Sequence, residues 1–238
     1  MTIEELIIEG KDKSVFATDA EDTVLVRFKD LTAAFHNIKK AILNGKAAVN
    51  CQISSLIFRK LEEQGIATHY IATVGDCEQL CAKVEIIPMQ FIVRNVIAGS
   101  TARLLNVEPG TKPSNVIYEL RYNNSGAGYP MINQHHAVAL GLATYDELNG
   151  IRETLRRIDE YLTKLFSAAG ITLVDFKLEF GRTPGGRIIV ADEITPDTCR
   201  LWDKKTGEIL DKDRFRFDMG GVCDAYREVL ERLEKVKD

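Results

Sequence analysis

Period-two strands, helices with a three-and-four apolar rhythm and glycine turns between them predict an α+β protein. Three stretches carry that expectation. From Leu173 onward, Asp175, Lys177 and Glu179 alternate with Phe176, Leu178 and Phe180, so a strand sets three ionisable groups on one face. Val49, Ile53, Leu56, Ile57 and Leu61 repeat at helical spacing, and Gly65 stands where a C-terminal cap belongs. Between Thr68 and Val93 the chain is β-rich, with breaks at Gly75-Asp76 and at Pro88.

The 238 residues suffice for one large domain or two small ones. Apolar residues make up 45% and charged residues 28%, the balance of a globular chain. A net charge of -4 argues against a broad nucleic-acid surface, so a phosphate ligand must meet local basic groups. The five cysteines, Cys51, Cys77, Cys81, Cys199 and Cys223, have no zinc or disulfide spacing, which predicts a reduced, cytoplasmic setting. Early acids (Glu4, Glu5) and the lack of a long apolar run predict neither a signal segment nor a membrane span.

Along the chain, Ile3–Ile8 and Thr23–Phe28 read as strands around the segment Glu9-Gly10-Lys11-Asp12-Lys13. Lys11 and Lys13 would share a face where a glycine admits a ligand to the backbone, an arrangement that suits phosphate or a lysine-protected edge strand. Asn50–Gln64 reads as a helix, and Pro88 marks a hinge whose backbone could pair with an adenine. Gly99-Ser100 precedes a short helical pattern, so Ser100 is a candidate N-cap and Arg94 a candidate anion ligand beside it. Glu108–Gln134 is a loop-rich excursion around a strand at Tyr118–Tyr122, and His135-His136 lack the projection of a metal pair. Thr144-x-x-Glu147 is a capping box opening a helix that runs to Gly170, and a last helix spans Met219–Val236.

The region from Leu173 to Arg216 carries the strongest chemistry. A two-residue hairpin centred on Gly185-Gly186 would set Glu179 directly opposite Asp192. Two facing carboxylates repel, and a divalent cation such as Mg²⁺ resolves the repulsion.

Five segments together resemble the SAICAR synthetase family over about Glu9–Leu233: EGKDKSVF, VRNVIAGS, DFKLEFG, ADEITPDTCRLWD and DKDRFR. The resemblance implies a kinase- or ATP-grasp-like arrangement, with residues 1–87 as a small antiparallel β lobe that binds ATP. Residues 88–238 would form a larger α+β lobe carrying the substrate and metal site, with ATP in the cleft between them. It implies an ATP-dependent ligase that phosphorylates carboxyaminoimidazole ribonucleotide (CAIR) and joins it to L-aspartate. Lys11 and Lys13 then resemble the ATP-phosphate lysines, with Val15, Leu25 and Ile86 completing the ATP site. Glu179 and Asp192 resemble the magnesium acids, and Asp175 and Lys177 the catalytic pair. Arg94, Ser100 and Arg200 resemble the ribonucleotide-phosphate ligands, with Asp197 and Arg216 also on the substrate side. A homodimer is expected. The chain departs from the usual pattern at Ile42, Gln90, Asn123-Asn124-Ser125 and Tyr129. Lost charges there raise a second reading, the same ligase chemistry on a changed amino acid or azole carboxylate. A third is a nucleotide-binding protein without catalysis, against which the costly acid pair speaks.

Overall fold

The computed structural model describes residues 3–34 and 38–236. Its elements run β1 (Ile3–Glu9), β2 (Lys13–Thr18), β3 (Thr23–Phe28), β4 (Leu31–Ala34), β5 (Lys39–Ile42), α1 (Lys46–Glu63), β6 (Tyr70–Gly75) and β7 (Glu78–Ala82). They continue with β8 (Glu85–Ile86), β9 (Met89–Arg94), α2 (Gly99–Leu105), β10 (Ile117–Tyr122), β11 (Met131–Ile132), α3 (Gln134–Ala139) and α4 (Tyr145–Ala168). The chain closes with β12 (Ile171–Arg182), β13 (Ile188–Ala191), β14 (Cys199–Asp203), α5 (Asp213–Arg216) and α6 (Val222–Glu234).

Two large sheets organise most of these elements, and β4 and β5 pair separately. The first has the antiparallel order β1-β2-β3-β7-β6. The second has the order β11-β10-β9-β12-β13, with β14 and β8 also pairing with β12. Helix α1 lies between them and serves both cores. Ala47 and Cys51 pack with Val24, Val26 and Phe28 under the first sheet. Val49, Ile53, Ile57, Phe58 and Leu61 join the main core with β9, β12, α4 and α6. The helix starts four residues before the expected Asn50. It ends as expected: Gly65 adopts φ 69°, its N–H meets the Glu62 carbonyl, and the Ile66 N–H reaches Leu61.

Strand β8 pairs with β12 through Ile86 and Gly181, so it belongs to the second sheet although it lies within residues 1–87, the expected small lobe. Gly181 is obligatory there, because a Cβ would stand 2.3 Å from Val84 Cγ2. The Ile87 N–H donates to Phe180 and the Pro88 carbonyl accepts from Asn123. The Ile87 N–H and the Pro88 carbonyl at the expected adenine hinge are therefore spent within the protein.

The hairpin register differs from expectation by one residue. Glu179 pairs with Ala191, Phe180 with Val190 and Arg182 with Ile188. The Thr183 N–H donates to Arg187, and Gly186 takes φ 77°, so the loop has three residues, Pro184 to Gly186. Three-residue loops close with a left-handed glycine, and the extra residue shifts the whole pairing. Asp192 thus lies beyond the last pair, in a left-handed conformation of its own at φ 69°.

Candidate active site

Strand β12 is the spine of the site. Burial of Phe176, Leu178 and Phe180 on its core face leaves Asp175, Lys177 and Glu179 on the other, as the alternation required. Although Asp192 has no cross-strand partner, its left-handed turn brings its carboxylate back over this face. There Lys177 Nζ donates to Asp192 Oδ2 at 2.6 Å and approaches Glu179 Oε1 at 3.4 Å. From the first sheet, Lys13 Nζ bonds Asp192 Oδ1 and lies 3.3 Å from Glu193. Lysines from both sheets therefore converge on one half-buried carboxylate.

The electrostatics follow from that crowding. Burial disfavours every charge in the cluster, yet Lys13 and Lys177 hold the Asp192 pKa far below the carboxylate range. Burial likewise opposes both lysines, but Asp192 first, with Glu193 beside Lys13 and Glu179 beside Lys177, raises their pKa values. Glu179 is raised by burial and by the charge of Asp192, which its distant lysine contact fails to offset. That leaves Glu179 short of positive charge, and a cation beside Glu179 and Asp192 would supply it. Among the described residues no three His, Cys, Asp or Glu side chains form a metal cage. Two carboxylates fit Mg²⁺, which keeps waters and shares phosphate oxygens instead of filling a protein cage. From the loop before β11, Asn123 Nδ2 reaches Glu179 Oε1 at 3.3 Å.

Behind Asp192, His69 is buried with Nε2 3.2 Å from the Asp192 carbonyl, which places its proton on Nε2. Burial and the charge of Lys13 lower its pKa to about 4 from 6.5. A folded-state pKa below the unfolded value stabilises the protein above pH 6.5, and that stability is lost as pH falls through 4. Replacing His69 by Gln should cancel the effect. Urea unfolding of the two proteins should show their stability difference growing by about 3 kcal/mol between pH 4 and pH 6.5. Asp211, pushed up to about 7 by burial and Asp213, has the opposite slope, so only the comparison isolates His69.

A second charged group crosses the same sheet. Arg94, Asp175 and Arg200 are direct cross-strand neighbours on β9, β12 and β14. Arg94 Nη1 meets Asp175 Oδ2 at 2.6 Å, and Arg200 Nη1 meets the same oxygen at 2.9 Å. Arg94 also forks onto Glu119 at 2.7 and 2.9 Å, and Thr101 bonds that carboxylate. Arg200 Nε continues to Asp213 at 2.9 Å, and Asp213 bonds Arg216. Glu119, Arg94, Asp175, Arg200, Asp213 and Arg216 form a ladder of alternating sign.

The ladder corrects two expectations. Arg94 is only 2% exposed and, among the described residues, its side-chain bonds go to carboxylates, so it braces the anion site from behind instead of facing a ligand. Ser100 is not the N-cap. Ala98 holds that position without a side-chain bond, and Ser100 is exposed in the first turn of α2. Arg200 does reach Gly99, the neighbour of Ser100 in the chain, where a Cβ would stand 2.4 Å from Arg200 Nη2.

The remaining expected residues divide. Lys11 is exposed beside Lys13. Val15 packs toward α1 with Val26, on the face of Lys13. Leu25 is fully buried and pairs with Phe16, so strand alternation puts it on the opposite face. Leu25 is thus not brought to the lysines. Ile86 is 36% exposed at the β8–β12 junction. Asp197 is buried under Lys46 (2.8 Å), Asn50 (2.9 Å) and Tyr226 (2.7 Å), leaving it no open face. Sequence reasoning missed Glu119, Glu193, Lys46, Lys212 and Asp213. Lys46 and Asn50 share a helix face at i, i+4, a signal that was present but pointed to no partner. His136 closes a capping box with Asn133, and His135 Nδ1 meets the Tyr145 hydroxyl at 2.8 Å.

The SAICAR synthetase family model matches residues 6–233. Phosphoribosylaminoimidazole-succinocarboxamide synthase of Fusobacterium nucleatum is 52% identical over 231 residues, covering 97% of this chain and 98% of that protein. The protein of the same name from Clostridium perfringens (strain SM101) is 51% identical, covering 96% and 97%. A crystal structure of the synthase from Ehrlichia chaffeensis superposes with a TM-score of 0.95 at 40% identity, covering 98% of this chain and all of that one. A SAICAR synthetase solved in complex with ADP has a TM-score of 0.94 at 43% identity, covering 98% and 99%.

Proposed function

The chain belongs to the SAICAR synthetase family, and we propose that the site on β12 carries out that family's reaction. It is an ATP-dependent ligase of purine biosynthesis that joins L-aspartate to CAIR, giving SAICAR, ADP and phosphate. The observation that carries the site assignment is the convergence of Lys13 and Lys177 on Asp192 beside Glu179. Two cations and two acids at one point suit a polyphosphate and its metal far better than they suit an apolar ligand.

In this reading the γ-phosphoryl group passes from ATP to the CAIR carboxylate, breaking the bond to ADP and forming an acyl phosphate. The aspartate amine then attacks the acyl carbon, loses a proton, and expels phosphate as the amide forms. Phosphorylation is needed because a carboxylate would otherwise have to expel oxide. Lys13 and Lys177 leave Asp192 for the phosphate oxygens and neutralise charge as it develops. Glu179 and Asp192 would hold Mg²⁺, which supplies electrostatic stabilisation of the phosphates. Arg200 and Ser100 hold the ribonucleotide phosphate, with Arg94 and Asp175 fixing the arginine from behind, so Asp175, expected as the catalytic partner of Lys177, serves as a positioning residue. Arg216, tied to Asp213, extends the same substrate wall, and Asp197 shapes it through the lysines it holds.

Residues 1–87 supply the nucleotide side and residues 88–238 the acceptor side. The protein works as a homodimer in the cytoplasm. Five free thiols support that compartment. An apolar hollow of about 780 Å³ between β10 and α4, lined by the exposed Leu104, Leu105 and Met131, supports a face for a second copy. Among the described residues no helix is long and apolar enough to cross a membrane. Coupled ADP release is expected to require both L-aspartate and CAIR, with the succinyl product detected by mass. ATP turnover indifferent to both would sink the reading. A faster reaction with another amino acid would favour the changed-substrate alternative, which rests on the lost charges near Asn123.

A further inference from the structure

Asp12 has no role in the reaction as drawn above, and its place is odd. It lies between Lys11 and Lys13, where a negative charge opposes a triphosphate. The geometry gives it other partners. Asp12 Oδ1 is 3.4 Å from Lys46 Nζ and 3.4 Å from Lys212 Nζ. Both lysines also face Asp197, at 2.8 Å and 3.7 Å. Asp12, Lys46, Asp197 and Lys212 therefore close a ring of alternating charge.

The ring spans the two halves of the molecule. Asp12 comes from the β1–β2 turn, Lys46 from the start of α1, Asp197 from the β13–β14 connection and Lys212 from the start of α5. Three corners are fixed. The side chains of Lys46, Asp197 and Lys212 are 1%, 2% and 8% exposed, and Asn50 and Tyr226 also hold Asp197. Asp12 is 26% exposed, on a hairpin whose outer strand β1 faces solvent. A pair at that distance and exposure is weak enough to open, and salt screens it.

The turn itself is stiff. Its Gly10 N–H bonds the Lys13 carbonyl at 2.9 Å, and a Cβ on Gly10 would stand 2.8 Å from that oxygen. The Asp12 carbonyl accepts from the Lys29 N–H at 2.8 Å. Because the turn is stiff, the pull of Lys46 and Lys212 on Asp12 is passed to Lys13, which sits on Asp192.

We infer that Asp12 is a positioning residue, a latch that ties the phosphate-lysine turn to the acceptor side and so couples binding of nucleotide and ribonucleotide. This rests on the reading that Lys13 holds the nucleotide phosphates. A purely local role has the opposite sign, because removing an acid beside the phosphates would only tighten ADP.

The test is calorimetric binding of ADP to the full chain with and without CAIR. In the unaltered protein CAIR should tighten ADP at least about fivefold, an ordinary coupling strength. Asp12→Asn should reduce that factor to below about twofold without tightening ADP alone, while Asp12→Glu should restore it. The coupling should weaken with added salt in the unaltered protein but not in Asp12→Asn. Absence of coupling in the unaltered protein, or full coupling in Asp12→Asn, overturns the latch. An ADP affinity unchanged by Lys13→Met would instead overturn the phosphate-site reading, whatever Asp12 does. Melting temperatures of each variant identify a misfolded protein.

Discussion

Asp192→Asn is expected to lower turnover by about a thousandfold or more, with a destabilised but folded apoprotein that nucleotide restores. Among the described residues, Asp192 is the only carboxylate that both Lys13 and Lys177 bond directly, and each cation raises the electrostatic cost of the other. An amide keeps the shape of the group and removes its charge, leaving two half-buried ammoniums beside the weaker partners Glu179 and Glu193. Breaking a buried pair in this way costs about 3–5 kcal/mol, or on the order of 10 °C in melting temperature for a chain of this length. The triphosphate brings its own negative charge to the same lysines. ADP or ATP should therefore raise the melting temperature more in the variant than in the unaltered protein. Turnover stays low even so, because the phosphates have lost one of the two acids assigned to their metal. Scanning calorimetry with and without ADP, beside an ADP-release assay, measures both halves. Near-normal turnover in a folded variant would remove Asp192 from the metal site.

Arg200→Met comes next in expected effect, and it should strike one substrate selectively. Arg200 spends Nε on Asp213 and Nη1 on Asp175, while Nη2 lies over Gly99 beside the exposed Ser100. A phosphate at that turn would lose a charge-assisted bond and part of its local positive field. The KM for CAIR should rise by about 100-fold, equivalent to about 3 kcal/mol, with the KM for ATP unchanged within about twofold. Arg200→Lys should recover only part of the loss, since an ammonium cannot span Asp175, Asp213 and the ligand at once. Initial-rate kinetics with each substrate varied separately decides the matter. An equal rise in both KM values would mean that the ladder is structural and the phosphate binds elsewhere.

Strand β12 marks how far the sequence was legible. Alternation alone put Asp175, Lys177 and Glu179 on one face, because a strand's side-chain period is two whatever its partners are. Helix α4 and its Thr144–Glu147 cap, and the Gly65 stop of α1, were equally readable, since caps and stripes are local. The hairpin register was not. One left-handed glycine, Gly186, lengthened the loop and moved Asp192 out of the pairing. The acids still meet around Lys177, but through a left-handed turn at Asp192 that no periodicity encodes.

Arg94 shows the other limit. Its charge beside Gly99-Ser100 pointed to an anion site, yet β9 sits between β10 and β12, and that placement gives the guanidinium to Glu119 and Asp175. Which acid faces which base across a sheet depends on strand order, and strand order is decided by long-range packing. The sequence by itself determined the main helices and several strands, the charged face of β12 and, through five motifs, the family. Tertiary structure alone decided which charges are spent on one another and which remain for a ligand, because pairing at 3 Å is set by residues far apart in the chain.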